Sequence, residues 1–115
     1  MDSIQLNKIL IDNFPQLKAK YFEEVSWQDG DSTGSHVVFG DVFRPYLIDC
    51  ITHNKKQEIE NAFSFLEELL NLNDAYAEEV IAFSVFESIA YLFSDYSNLD
   101  SLLGAYSKKV LADVS

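Results

Sequence analysis

Few residues in this chain have the type and spacing for chemistry. Asp29-x-Asp31-x-Thr33-Gly34 puts oxygen-bearing side chains and a glycine where the first half of an EF-hand calcium loop needs them. The closing position needs a bidentate glutamate and holds Gly40 instead, with Asp41 one residue late. No long amphipathic helix leads into the run, so a plain loop is expected. A carboxylate-bridged di-iron site in a helical bundle is built from Glu-x-x-His pairs, and neither His36 nor His53 has a glutamate three residues before it. Cys50 falls on the apolar side of a helical pattern, where a buried, inert thiol is the expectation. No GxSxG, P-loop or HExxH motif occurs. Neither catalysis nor a metal or cofactor is expected; binding is the chemistry that remains.

Charge says what could be bound. The 115 residues carry 19 Asp and Glu against 8 Lys and Arg, a net charge of -11, and between Lys56 and Lys108 there is no basic residue at all. Glu58, Glu60, Glu67, Glu68, Asp74, Glu78, Glu79, Glu87, Asp95 and Asp100 all fall in that stretch. Direct binding of nucleic acid or anionic lipid is disfavoured, because both need Lys and Arg to meet phosphates. Disorder is a poor reading of the acidity, since 48% of the chain is hydrophobic and it holds nine Phe, six Tyr and one Trp. No apolar run approaches the roughly 18 to 20 residues needed to span a bilayer. One cysteine excludes an internal disulfide, and the first residues do not read as a signal core, so a cytoplasmic protein is expected.

The elements that must position these acids are helical throughout. A single all-α domain over 1–115 is expected, a compact bundle of about five to six helices arranged as antiparallel hairpins. Asp2 or Ser3 caps a first helix bearing Leu6, Ile9, Leu10 and Phe14, which Pro15 ends. Gln16 to Glu24 reads as a second, presenting Leu17, Tyr21 and Phe22, and residues 26–35 as a turn-rich loop. Asp41 is read as the N-cap of a third helix, with Pro45 in its first turn. Gln57 to Leu72 has the clearest 3.6-residue periodicity, with Ile59, Ala62, Phe63, Phe65, Leu66, Leu69, Leu70 and Leu72 inward and Glu60, Glu67 and Glu68 outward. Asp74 is the natural cap of the next helix, and the short connection predicts a hairpin.

From Ala75 to Asp95 the chain is apolar almost all round, with Phe83 among the core residues and one polar strip of Ser84, Glu87, Ser88, Tyr91 and Asp95. Glu87 either reaches solvent on that strip or is buried against Arg44, the only arginine. Asn98 or Asp100 starts a last helix carrying Leu99, Leu102, Leu103, Tyr106 and Val110, and Gly104 permits a close helix approach.

Helices that intersperse Lys with Glu gain i to i+4 support, and the acidic hairpin forgoes every such pair. A positively charged partner would relieve the resulting self-repulsion. The expected contact residues are Glu60, Glu67, Glu68, Glu78, Glu79, Glu87, Tyr91 and Asp95. Trp27, Asp29 and Asp31 form a second region, with Trp27 either a lid on the core or an exposed anchor.

Phe39-Gly40-Asp41-Val42, Phe63-Ser64-Phe65-Leu66-Glu67-Glu68-Leu69-Leu70 and Val85-Phe86-Glu87-Ser88-Ile89 give His36 to Leu92 a family likeness. This segment resembles small all-helical bacterial proteins that look like immunity proteins of toxin systems, including contact-dependent growth inhibition. The resemblance implies inhibition of a cognate toxin by binding and supplies no catalytic residue. The expected partner is a toxin domain with a basic protein surface, most naturally a nuclease, with no direct nucleic acid or membrane contact. The alternative is a structural adaptor or homo-oligomeric module joined through the acidic hairpin.

Overall fold

Asp2 starts the fold by satisfying backbone groups that a helix end leaves free. Its carboxylate accepts from the Gln5 N–H at 2.9 Å, while its own N–H donates to Gln5 Oε1 at 3.0 Å, a reciprocal capping box. Helix α1 (Ser3–Asn13) follows and buries Leu6 and Leu10. Pro15 opens a single 3-10 turn (Pro15–Leu17), where its missing N–H is no loss, and the chain re-enters helix as α2 (Lys18–Ser26). The computed structural model describes residues 1–115, and every regular element in it is helical.

Helix α3 runs over 35–52 in three registers: α-helical at Ser35–Val38, a π turn at Phe39–Phe43, and α-helical again at Arg44–Thr52. Asp41 is therefore inside the helix and not its cap; Gly34 occupies the cap position. The cause lies on both sides of Asp41. Val38, Phe39, Val42 and Phe43 are all buried, so continuing the helix through them gains more apolar contact than stopping at Gly40. A regular helix would then ask Pro45 for an N–H it lacks, and the widened turn, closed by the Arg44 N–H on the Phe39 carbonyl, sits just before it.

Helix α4 (Lys56–Leu70) buries the seven apolar residues from Ile59 to Leu70 that its periodicity selects. Leu72 lies beyond the helix end and is exposed, contrary to its place on the wheel. Asn73 takes a left-handed φ of 56°, and the Asp74 carboxylate caps helix α5 by accepting from the Ala77 N–H at 3.0 Å. That helix spans 75–89, again with a π turn (Ala82–Phe86) between α-helical segments Ala75–Ile81 and Glu87–Ile89. A short α6 (Leu92–Asp95), a 3-10 turn (Ser97–Leu102) and α7 (Ala105–Val114) complete the chain. The last helix starts at Ala105, with Gly104 in the cap position, and not at Asn98 or Asp100, because residues 97–102 wind as 3-10 turns.

The two π turns pack on each other, and α7 lies on α4 and on the π turn of α5. Phe39, Phe43, Phe63 and Phe86 are fully buried. Phe14 meets Phe43 at 5.4 Å and Phe65 at 5.0 Å edge-on, contacts worth about 0.5–1.5 kcal/mol each beyond simple burial. The radius of gyration, 13.3 Å, is that of a close-packed chain of this length. No helix is long and apolar enough to cross a membrane.

Candidate functional site

On the outward side of α5 and α6, Glu79, Phe83, Glu87, Tyr91 and Asp95 are all exposed and follow one another at four-residue intervals. In a regular α-helix each four-residue step drifts about 40° around the axis, so such a row would soon wrap away. The π turn at Ala82–Phe86, closed by the Glu87 N–H on the Ala82 carbonyl, holds more residues per turn and takes out part of that drift. Ala90 and Tyr91 keep right-handed helical dihedrals beyond the helix end. Carboxylate and aromatic ring therefore alternate along one face. Phe83 is 57% and Tyr91 58% exposed.

One residue further round, Ser84 and Ser88 tie this row to α3. His36 Nδ1 and Ser84 Oγ lie 2.7 Å apart, and Arg44 Nη1 donates to Ser88 Oγ at 3.0 Å. His36 Nε2 is 3.5 Å from Glu79 Oε2. Glu87 reaches solvent and has no bond to Arg44, so of its two expected environments the exposed one is found. Phe83 corrects its assignment to the core. It was missed because the helix is apolar in composition; the signal was its position midway between Glu79 and Glu87.

The other expected contact residues divide. Glu78 is exposed on α5, and Glu60 and Glu68 on α4. Glu60 comes together with Asp95 and Tyr96 at a groove of about 440 Å³ between α4 and the 3-10 turn. Glu67 does not face outward into solvent: it is half-buried, and its carboxylate accepts from the Ser107 N–H at 2.9 Å, the Ser107 hydroxyl at 2.8 Å and the Tyr106 N–H at 3.2 Å. It caps α7, so its charge is committed within the fold.

Trp27 is 72% exposed and so is not a lid on the core. Its loop is held nonetheless. The buried Asn7 amide donates to the Thr33 carbonyl at 2.7 Å and the Asp31 carbonyl at 3.3 Å, and accepts from Ser35 Oγ at 2.8 Å. Tyr21 donates its hydroxyl to Asp31 Oδ1 at 2.7 Å. Burial first, then that bond and the aspartate's charge, hold the Tyr21 phenol well above its ordinary pKa of 10.0. Asp31 is thus part of a structural tie, while Asp29 remains exposed. None of the hydrogen bonds of residues 27–34 reaches α5. Cys50 is buried and its thiol pKa is raised, chiefly by desolvation.

Fold and face together define an all-helical acidic domain with an exposed row of alternating carboxylates and aromatic rings. Residues 7–114 match the family model described as "Domain of unknown function (DUF7674)", and the chain belongs to that family. The match takes in α2 and the Trp27 loop, which the likeness over His36 to Leu92 left out. Neither curated proteins nor solved structures give a match.

Proposed function

We propose that this protein works by binding: it lays the α5–α6 face on a basic protein surface and blocks it, as an immunity protein does to its cognate toxin. The observation that carries the reading is the alternating row of Glu79, Phe83, Glu87, Tyr91 and Asp95. Aromatic rings on a surface provide the desolvated centre of an interface and attract Lys and Arg through their faces. Carboxylates between them steer a positive partner and set its register. No lysine stands in the row to neutralise it. A nuclease toxin has the matching surface, because it must hold phosphates with Lys and Arg. Occlusion is then steric and electrostatic. A footprint of about 800 Å² is normal for one partner, a modest share of the 6200 Å² this domain exposes. The place of action is the cytoplasm, where such a toxin meets its substrate. The adaptor reading is weaker in its homo-oligomeric form, because two copies meeting through this row bring like charges together.

The test is co-expression with the toxin domains encoded beside genes of this family, read as growth and as affinity of the purified pair. Wild-type chain should restore growth and bind more weakly as salt rises. The Glu79→Lys, Glu87→Lys double variant should lose both. Protection that survives this reversal, or no protection against any neighbouring toxin, overturns the reading.

A further inference from the structure

Arg44 is the only arginine in a chain with 19 carboxylates, yet no Asp or Glu oxygen lies within 4.0 Å of it. Lys18, Lys20, Lys56, Lys108 and Lys109 also lack ion pairs, but all five are exposed. Arg44 is half-buried, and Nη1 is held by Ser88 on the helix that carries the acidic row. Its Nε and Nη2 groups make no hydrogen bond within the protein. A guanidinium has five donors in a planar fork, and one serine uses one of them. Arg44 borders an open cleft of about 420 Å³ lined also by Pro45, Ile48, Asp49, Thr52 and Ser88. Asp49, the one carboxylate in that cleft, already accepts from Lys55 Nζ at 3.4 Å, while His53 Nδ1, bonded to the Asp49 backbone carbonyl at 2.9 Å, lies 3.1 Å from its Oδ1.

We infer that this cleft is a receptor for a carboxylate side chain of the partner, with Arg44 as its bidentate ligand and Ser88 as the residue that positions it. The inference rests on the binding function proposed above and adds the partner's chemistry at one point. Guanidinium and carboxylate match in shape and charge, which an ammonium would not reproduce. A free anion is a poor occupant, because the surrounding charge of -11 repels it. The carboxylate must therefore arrive embedded in a surface that is otherwise basic. That requirement sets register: a basic surface with no acid at this point would put a cation against Arg44 and be rejected.

The experiment uses the full chain and the toxin domain it neutralises. Arg44→Gln should weaken binding about 30-fold and Arg44→Glu about 100-fold or more, with thermal midpoints matching wild type. Exchanging the facing partner Asp or Glu for Lys should restore binding to Arg44→Glu. Arg44→Gln within about twofold of wild type, with no partner exchange rescuing Arg44→Glu, overturns the inference while leaving the acidic row intact as the binding face. Loss of the reading itself looks different, since the wild-type chain then neutralises nothing and the receptor falls with it. Inorganic phosphate, followed on the Arg44 side-chain N–H resonance, should give no saturable shift. Saturation by phosphate alone would make the cleft a free-anion pocket and overturn its assignment to a partner.

Discussion

Glu67 caps a helix that begins 38 residues later: its Oε1 accepts from both the N–H and the hydroxyl of Ser107, at 2.9 and 2.8 Å. Gly104 makes this possible. A Cβ there would stand 2.2 Å from Glu67 Cδ, although the Gly104 backbone itself, at φ -77°, suits any residue. Gly104→Ala should therefore act by pushing the glutamate off its donors. Either Gly104→Ala or Glu67→Ala should lower stability by about 1–2 kcal/mol, the range for a lost N-cap. In the Glu67→Ala background, Gly104→Ala should cost close to nothing. A double-mutant cycle in urea measures the coupling, and fully additive losses would contradict the mechanism.

Asn7, buried, ties α1 to the 31–35 segment through three side-chain hydrogen bonds. Asn7→Ala leaves those groups without their partner and should cost about 2–3 kcal/mol. The loss should be local as well as global. Under native conditions, cleavage within residues 27–34 by a nonspecific protease should accelerate, and an unchanged cleavage rate would show that the loop is held elsewhere.

Tyr21 gives a dependence on alkaline pH. Its phenol is protonated in the fold at a pKa above the ordinary 10.0, so it contributes stability that is fully present below that value. As pH rises past 10.0 the unfolded chain ionises first, and the contribution is lost. Stability measured by urea unfolding should fall above this pH. Tyr21→Phe should be less stable at neutral pH, through loss of the bond to Asp31, and should show a flatter alkaline decline.

The acidic row should be a burden to the isolated protein. Thermal midpoints should rise with added salt as repulsion is screened. Glu79→Lys with Glu87→Lys should raise the midpoint by about 2–5 °C at low ionic strength, within the range expected of surface charge changes in a domain of this size. A variant that gains stability while losing its partner marks the row as kept for binding. A lowered midpoint would mean that these glutamates support the fold.

Much of the fold is legible in local sequence. Asp2 and Asp74 are caps, Pro15 ends α1, and Ile59 to Leu70 is one continuous buried face, because capping and helical periodicity depend on residues within one or two turns. Cys50 lies in the core for the same reason. Interruptions inside helices are less legible. Asp41 has every local property of an N-cap, and what overrides it is the burial of Val38 and Phe39 against elements distant in sequence. Phe83 is misplaced for another reason: α5 is apolar almost all round, so composition hides a residue that stands midway between the exposed Glu79 and Glu87.

By itself the sequence determined that the chain is helical, acidic and able to form a core, and that its acids gather where no lysine answers them. These are properties of composition and short-range pattern. Only the tertiary structure decided what each charge does. Glu67 is withdrawn to cap α7 because Gly104 lets the two helices close on it. Asp31 is drawn to Tyr21, while Glu87 and Asp95 are left in water. Arg44 bonds a serine and no acid, although 19 carboxylates share the chain with it. Such pairings depend on which helices come within about 3 Å of one another, a distance set by long-range packing and the hydrogen-bonding range of side chains, not by spacing along the chain.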